Sequence, residues 1–225
     1  MDMCIVGYKG YWANIALKAI SNVPEIQVIK KLEIQDELNF GNSDFVYICT
    51  PPDSHYSIAE KALLSSKHVL LEKPMCNKPE DCHKLLKLAD ERNLKIGVDH
   101  TFLFSEHVRI IKKLITDKKI GEVLKFSTNR MNLGKFQDSG VVWDLLPHDL
   151  AIAMYLFGND VQIKNKIFMN FMDKQIVDDA HIWLCINGTE CNFELSWLHP
   201  KKTRNLSIIG TEGMIEYDLM ATKPL

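Results

Sequence analysis

At 225 residues with a formal net charge of −2, the chain has no basic surplus for a polyanion, which excludes nucleic acid as the expected partner. A hydrophobic content of 46% and a charged content of 25% match ordinary globular chains and exclude global disorder. The start, Met1-Asp2-Met3-Cys4, has no basic segment leading into an apolar core, and no run reaches the roughly 18 uncharged apolar residues of a membrane span. The expectation is a cytoplasmic protein with no membrane contact.

In chain order, short apolar runs alternate with helical stretches over the first hundred residues, the pattern of parallel strands joined by crossover helices. Met3 to Val6 reads as a buried strand opening onto Gly7. Gly10 to about Ser21 has apolar residues at helical spacing, and Ile26 to Ile29 reads as a second strand. A third strand, Phe45 to Cys49, is stopped by Pro51 and Pro52, which remove ladder donors. A helix over Ser54 to Leu64, a strand over His68 to Leu71, a helix over Pro79 to Arg92 and a strand over Lys95 to Val98 complete a Rossmann-like doubly wound half.

From about Val123 the period changes to two, interrupted by a helix between Val141 and Phe157. Asn187-Gly188, between Ile182/Leu184/Ile186 and Phe193/Leu195/Trp197, predicts a type I′ hairpin. Leu206 to Ile209 and Met214 to Tyr217 flank a second turn. The fold class is therefore α/β, with a Rossmann-like domain at 1–100, the type of half that the glycine turn and family resemblance below imply is dinucleotide-binding. An α+β domain with a mostly antiparallel sheet follows at 101–225, for which the resemblance described below implies substrate binding and oligomerisation. Six scattered cysteines show no C-x-x-C or Cys/His quartet, so reduced thiols are expected, with neither a zinc site nor a disulfide framework.

The turn from Gly7 to Ala13 sits where a dinucleotide fingerprint belongs, between the first strand and the first helix. Gly10 and Ala13 fit its second and third glycine positions, whereas Gly7 lies one residue early. Phosphate binding requires only backbone N–H groups and a helix N-terminus facing the anion, so a widened turn formed by Gly7, Gly10, Tyr11 and Trp12 remains a candidate. The alternative is a packing turn that binds nothing. The acid that holds an adenosine ribose normally lies about 20 residues on. Here that count falls on Gln27 to Lys31. No carboxylate stands there, and Lys30-Lys31 leans the cofactor from NAD toward NADP or is simply a solvated strand end.

Cys49-Thr50-Pro51-Pro52-Asp53-Ser54-His55, Leu71-Glu72-Lys73-Pro74 and Trp143-Asp144-Leu145-Leu146-Pro147-His148-Asp149 resemble, in order, the signatures of the Gfo/Idh/MocA oxidoreductases. The resemblance implies a nicotinamide-dependent enzyme acting on a secondary alcohol of a sugar, cyclitol or nucleotide sugar. It also implies a homo-oligomer joined through the C-terminal sheet. Two departures stand out: a short connection between the second and third strands, and a chain shorter than family members usually are.

Oxidising an alcohol requires a proton acceptor and a donor to hold the alkoxide, next to the nicotinamide. Thr50, Pro51, His55, Glu72, Lys73 and His100 follow strand ends, where open α/β sheets bind ligands. An X-Pro bond can be cis, which would turn Lys73 inward, and a cationic nicotinamide ring would reduce the lysine's proton affinity. Asp144 and His148 are four apart and share a helix face. Pro147 implies that the helix either starts near Trp143 or bends there. A start near Trp143 would put His148 beside a positive helix end as a neutral base, with Asp144 orienting it or capping the helix. His100 is a substrate-contact candidate; Arg130 either meets a substrate anion or pairs on the sheet. Two other classes remain open: a dinucleotide-binding sensor or degenerate partner subunit without turnover, and a metal hydrolase built on His100, Asp144 and His148.

Overall fold

The structure is a computed structural model that describes every residue except 135, 138, 223 and 224. The chain divides into two compact units, Met1–Asp99 and His100–Leu225.

The first unit runs β1 (Asp2–Val6), α1 (Tyr11–Ile20), β2 (Gln27–Leu32), β3 (Phe45–Ile48), α2 (His55–Leu64), β4 (His68–Leu71), α3 (Pro79–Glu91) and β5 (Ile96–Val98). All pairings are parallel, in the order β2-β1-β3-β4-β5. Both faces are covered, which explains the uninterrupted apolar strands. Val46 and Ile48 of β3 pack with Ile58, Leu63, Leu85 and Ala89 of α2 and α3. Tyr47, between them, turns to the opposite face with Met3, Ile5 and Ala13 of α1. Residues 33–44 form neither helix nor strand, as the short connection implied. Chain order reverses between β1 and β3, and a ligand crevice opens at such a switch point at the carboxyl ends of the strands.

The second unit runs α4 (Glu106–Thr116), β6 (Val123–Leu133), α5 (Gly140–Phe157), β7 (Val161–Met169), β8 (Asp179–Ile186), β9 (Thr189–Ser196), β10 (Leu198–Gly210) and β11 (Met214–Asp218). The sheet order is β11-β10-β6-β9-β8-β7, antiparallel except for the parallel β6/β9 pair. The expected hairpin joins β8 to β9, with Asn187 at φ 46° and Gly188 at φ 84°, the two positive angles of a type I′ turn. One core fills the space between the sheet and α4 and α5, including Ile111, Phe126, Ile152, Phe193 and Trp197.

One feature departs from the sequence expectation, and one open alternative is decided. Helix α4 was not anticipated, because its stripe of Val108, Ile111 and Ile115 is embedded among Arg109, Lys112 and Lys113. Helix α5, Gly140–Phe157, matches the helix expected between Val141 and Phe157; it carries Pro147 inside it, so a start near Trp143 is not the alternative found. Its 18 residues are long and apolar enough to cross a membrane by length and composition. Yet Val141, Leu145, Ile152, Ala153 and Leu156 are buried against the sheet, so α5 is a core helix that happens to contain two aspartates.

Candidate functional site

In the first unit, the fingerprint turn closes with Gly10 N–H donating to the Gly7 carbonyl at 3.0 Å. Gly7 has φ +82°, and a Cβ there would lie 2.9 Å from Thr50 Cγ2 and 3.0 Å from the Cys49 carbonyl. The β1 and β3 ends therefore approach as closely as a side-chain-free residue permits. Helix α1 starts after Gly10 with no side-chain cap and no acid in its first turn, leaving its N–H groups available to an anion. Ala13 is buried at the third fingerprint position, packing the helix on the sheet. Tyr11 and Trp12 are 73% and 56% exposed and meet edge to face, with ring centroids 5.2 Å apart. The widened turn thus leads directly into an α1 N-terminus without a side-chain cap.

The strand end beside it carries a carboxylate that the count to Lys31 did not reach. Strand β2 continues beyond Lys30-Lys31 to Leu32, paired with Val6, and the Gly7 N–H donates to the Leu32 carbonyl at 2.8 Å. The first residue past the strand is Glu33, whose Oε1 accepts the Lys9 N–H at 3.0 Å. An acid does occupy the strand end next to the glycine turn, and the inference of its absence does not stand. Counting from the sequence stopped short because the strand was ended at its lysines; the apolar Leu32 directly after them was the available signal.

Thr50 and Pro51 follow β3, and Glu72, Lys73 and Pro74 follow β4, all at the carboxyl ends of the sheet's strands. The Lys73–Pro74 peptide is cis, as the X-Pro reading allowed. His55 differs from expectation: it is wholly buried, and its ring nitrogens each lie 2.8 Å from a backbone carbonyl oxygen, Nδ1 from Pro74 and Nε2 from Thr50. It ties the Thr50 turn to the Lys73-Pro74 turn and offers no free edge to a cofactor. Ser54 Oγ, also in this turn, bonds Thr50 Oγ1 at 2.7 Å.

The same strand ends hold a cluster that sequence spacing did not reveal. The Tyr47 hydroxyl lies 2.8 Å from Glu72 Oε1 and 3.1 Å from Asp99 Oδ2. Burial raises the Glu72 carboxyl above the usual carboxylate range; its bond with Tyr47 opposes this, Asp99 adds to it, and Lys73 opposes it. Burial also pushes the neighbouring Cys49 thiol up to about 12.

In the second unit, α5 carries Asp144, His148 and Asp149. Trp197 Nε1 donates to Asp144 Oδ2 at 3.3 Å, and Phe102 meets the His148 ring edge-on at 5.2 Å between centroids. Because α5 starts at Gly140, His148 lies about two turns inside it. The positive helix end cannot tune His148, and Asp144 is not a cap. Arg130 is 2% exposed: its Nε donates to Asp149 Oδ1 at 3.0 Å and its guanidinium stacks 4.7 Å over Phe102. Arg130 was expected to meet a substrate anion or to pair on the sheet surface; the structure instead pairs it with Asp149 of α5 in the interior. Arg204 pairs opposite Arg130 across β10 and β6. Burial first, then Arg130, lowers the Arg204 pKa, with Asp149 and Asp144 opposing. His100 stands at the start of the turn 101–104, whose Leu103 N–H bonds its carbonyl at 2.9 Å. Among the described residues, no three His, Cys, Asp or Glu side chains form a group that could hold a metal ion.

Comparison with known proteins supplies the context for this arrangement. Residues 11–100 match the family model described as "Oxidoreductase family, NAD-binding Rossmann fold", and residues 108–216 match the "GFO/IDH/MocA C-terminal domain". An uncharacterized oxidoreductase of Schizosaccharomyces pombe is 31% identical over 67% of this chain and 43% of its own length. A UDP-N-acetylglucosamine 3-dehydrogenase of Acidithiobacillus ferrooxidans is 26% identical over 79% of this chain and 56% of its own. The chain thus spans about half the length of the curated relatives it matches. Among solved structures, a scyllo-inositol dehydrogenase from Lactobacillus casei with bound NAD(H) and scyllo-inositol superposes with a TM-score of 0.86 at 18% identity, covering 100% of this chain and 78% of that one. GenD2 from gentamicin A biosynthesis, in complex with NAD, gives 0.89 at 17% identity, covering 100% and 74%. At these identities the superpositions establish the fold.

Proposed function

The chain belongs to the Gfo/Idh/MocA oxidoreductase family, and on that footing we propose that it moves a hydride between NAD(P) and a secondary alcohol of a sugar, cyclitol or nucleotide sugar. The observation that carries this is the pairing of an uncapped α1 N-terminus with a side-chain-free Gly7 against Thr50, at the switch point of a parallel sheet. The turn and α1 offer N–H groups to a pyrophosphate, and Glu33 offers a carboxylate to ribose hydroxyls, so the residues present fit a dinucleotide. A carboxylate there repels a 2′-phosphate, which shifts the preference to NAD and replaces the lean toward NADP.

When bound, the nicotinamide gives or takes the hydride; the chain's own residues handle the proton and the hydroxyl. Lys73 donates a hydrogen bond to the substrate oxygen and stabilises the alkoxide. In oxidation His148 takes the hydroxyl proton, and in reduction it returns one. Asp144, held by Trp197 Nε1, contacts the substrate hydroxyl or orients it. Thr50 and Pro51 line the cofactor edge, and His100 contacts substrate. His55 holds the two turns in register, and Arg130 stabilises the second unit's core.

The face of the second sheet away from α5 carries His181 and Trp183, whose rings stack 6.1 Å apart. We assign this face to self-association, tested by light scattering of the purified protein.

Calorimetric titration with NAD+ and NADP+, followed by assay over a panel of cyclitols and nucleotide sugars, tests the main proposal. Turnover is expected to fall about 10²–10⁴-fold in Lys73→Ala and His148→Ala while dinucleotide binding persists. Wild-type rates in both variants overturn the assigned roles. Binding without turnover anywhere in the panel supports the sensor or partner-subunit alternative.

A further inference from the structure

The Tyr47 hydroxyl has one hydrogen and faces two carboxyl groups, Glu72 at 2.8 Å and Asp99 at 3.1 Å. Ionised carboxylates only accept. If both were ionised, one hydrogen would have to serve two anions, and one close oxygen–oxygen approach would have no proton of its own. A single additional proton resolves the geometry, and the surroundings decide where it resides.

We propose that Glu72, Tyr47 and Asp99 form one proton-sharing chain, in which a protonated Glu72 donates to the Tyr47 oxygen, Tyr47 donates to an ionised Asp99, and Glu72 positions Lys73 through the lysine's own backbone. The Lys73 backbone, next along the chain, favours the ionised form of the Glu72 carboxyl as a hydrogen bond would. Burial favours the neutral acid at Glu72, and the nearby Asp99 charge adds to that preference, against the Tyr47 bond and the Lys73 charge. Burial likewise raises the Tyr47 phenol far above its ordinary range, so the phenol keeps its hydrogen and relays rather than ionises.

Among the described residues, the titratable groups near this chain include Tyr8, packed in the same cluster as Tyr47, and His100, next to Asp99 in sequence. Cys49 at the end of β3 keeps its proton, its thiol being pushed up to about 12. Lys73 follows Glu72 directly. The helix packed on this face, α1, turns Ala13, Ala16, Leu17 and Ile20 toward it. With that proton the chain carries one negative charge where its composition offers two, and the two carboxyl groups meet at the Tyr47 hydroxyl.

This rests on the oxidoreductase reading for its purpose but not for its test. Carbon-detected NMR of the full-length protein, with Glu72 assigned by Glu72→Gln, reads the titration of its carboxyl carbon without any assay of turnover. Glu72 is expected to titrate at higher pH than the surface glutamates. Asp99→Asn, which removes a like charge, is expected to move that midpoint down. In a Tyr47→Phe background the Asp99→Asn shift is expected to shrink, because the connecting hydroxyl is gone. Glu72 titrating with the surface glutamates, or standing unmoved in Asp99→Asn, overturns the proposal. As a positioning effect, Tyr47→Phe is expected to lower kcat with little change in the Kd of the dinucleotide. The stated titration without any turnover upholds the proton chain and counts against the oxidoreductase reading, whereas turnover with an ordinary Glu72 does the reverse.

Discussion

Gly7 and Thr50 meet across the gap between β1 and β3 so closely that any side chain at position 7 would press on Thr50 Cγ2 at 2.9 Å. Gly7→Ala therefore adds a contact with the Cys49 backbone, which cannot yield, to the cost of φ +82°. A loss of about 2–3 kcal/mol in unfolding free energy is expected by urea denaturation. Gly188→Ala is the comparison, since φ is +84° but nothing lies within 4 Å; its cost should be limited to about 1 kcal/mol of backbone strain.

Glu33 sets cofactor preference if it accepts the ribose hydroxyls. Glu33→Ser is expected to weaken NAD+ binding roughly tenfold, the worth of about 1.4 kcal/mol, and to improve NADP+ binding. Calorimetry on both dinucleotides checks this, and an unchanged NAD+/NADP+ ratio would remove Glu33 from the site.

Asp149 neutralises a crowded region, because Arg130 and Arg204 stand opposite one another in adjacent strands. Asp149→Ala leaves Arg130 buried without its partner and is expected to destabilise the protein by about 3–5 kcal/mol. Replacing both Arg130 and Asp149 with leucine should recover much of that loss. Melting curves of the single and double variants measure the difference.

Glu72 makes stability fall with rising pH over a limited range. Its carboxyl is raised from 4.5, chiefly by burial. The folded chain therefore holds that proton more tightly than the unfolded chain does. The resulting stability is complete below the unfolded value and is lost as pH climbs through the folded one. Urea titrations across the acid range should show this decline in the wild type and its absence in Glu72→Gln.

Buried thiols should resist alkylation while the protein is folded. Burial pushes Cys4 to about 11 and Cys191 to about 12, leaving almost no thiolate at neutral pH. Mass spectrometry after brief iodoacetamide treatment is expected to find both unmodified until denaturant is added.

Much of the architecture was readable from local pattern. Prolines at 51 and 52 end β3, Asn187-Gly188 turns the hairpin, and apolar runs separated by helical spacing announce a parallel sheet. Helix α4 escaped because its narrow apolar stripe lies among basic residues, whereas the span of α5 was legible and only the effect of Pro147, which lies inside the helix, was left open. At the site, Gly7, Gly10 and Lys73 were legible as backbone signals. Glu33, Tyr47 and Asp99 were not, since nothing in their spacing announces which strand ends lie side by side.

The order of strands and helices, the glycine turn, the cis-capable Lys73-Pro74 pair and the family signatures are properties of short segments, and residue order alone carries them. Which polar groups pair is a matter of distance through space. His55 spends both nitrogens on backbone carbonyls, Arg130 is taken by Asp149, and Tyr47 bridges Glu72 and Asp99. Each outcome depends on strands from distant parts of the chain being laid in register, where burial makes an unsatisfied donor or charge too costly to leave alone.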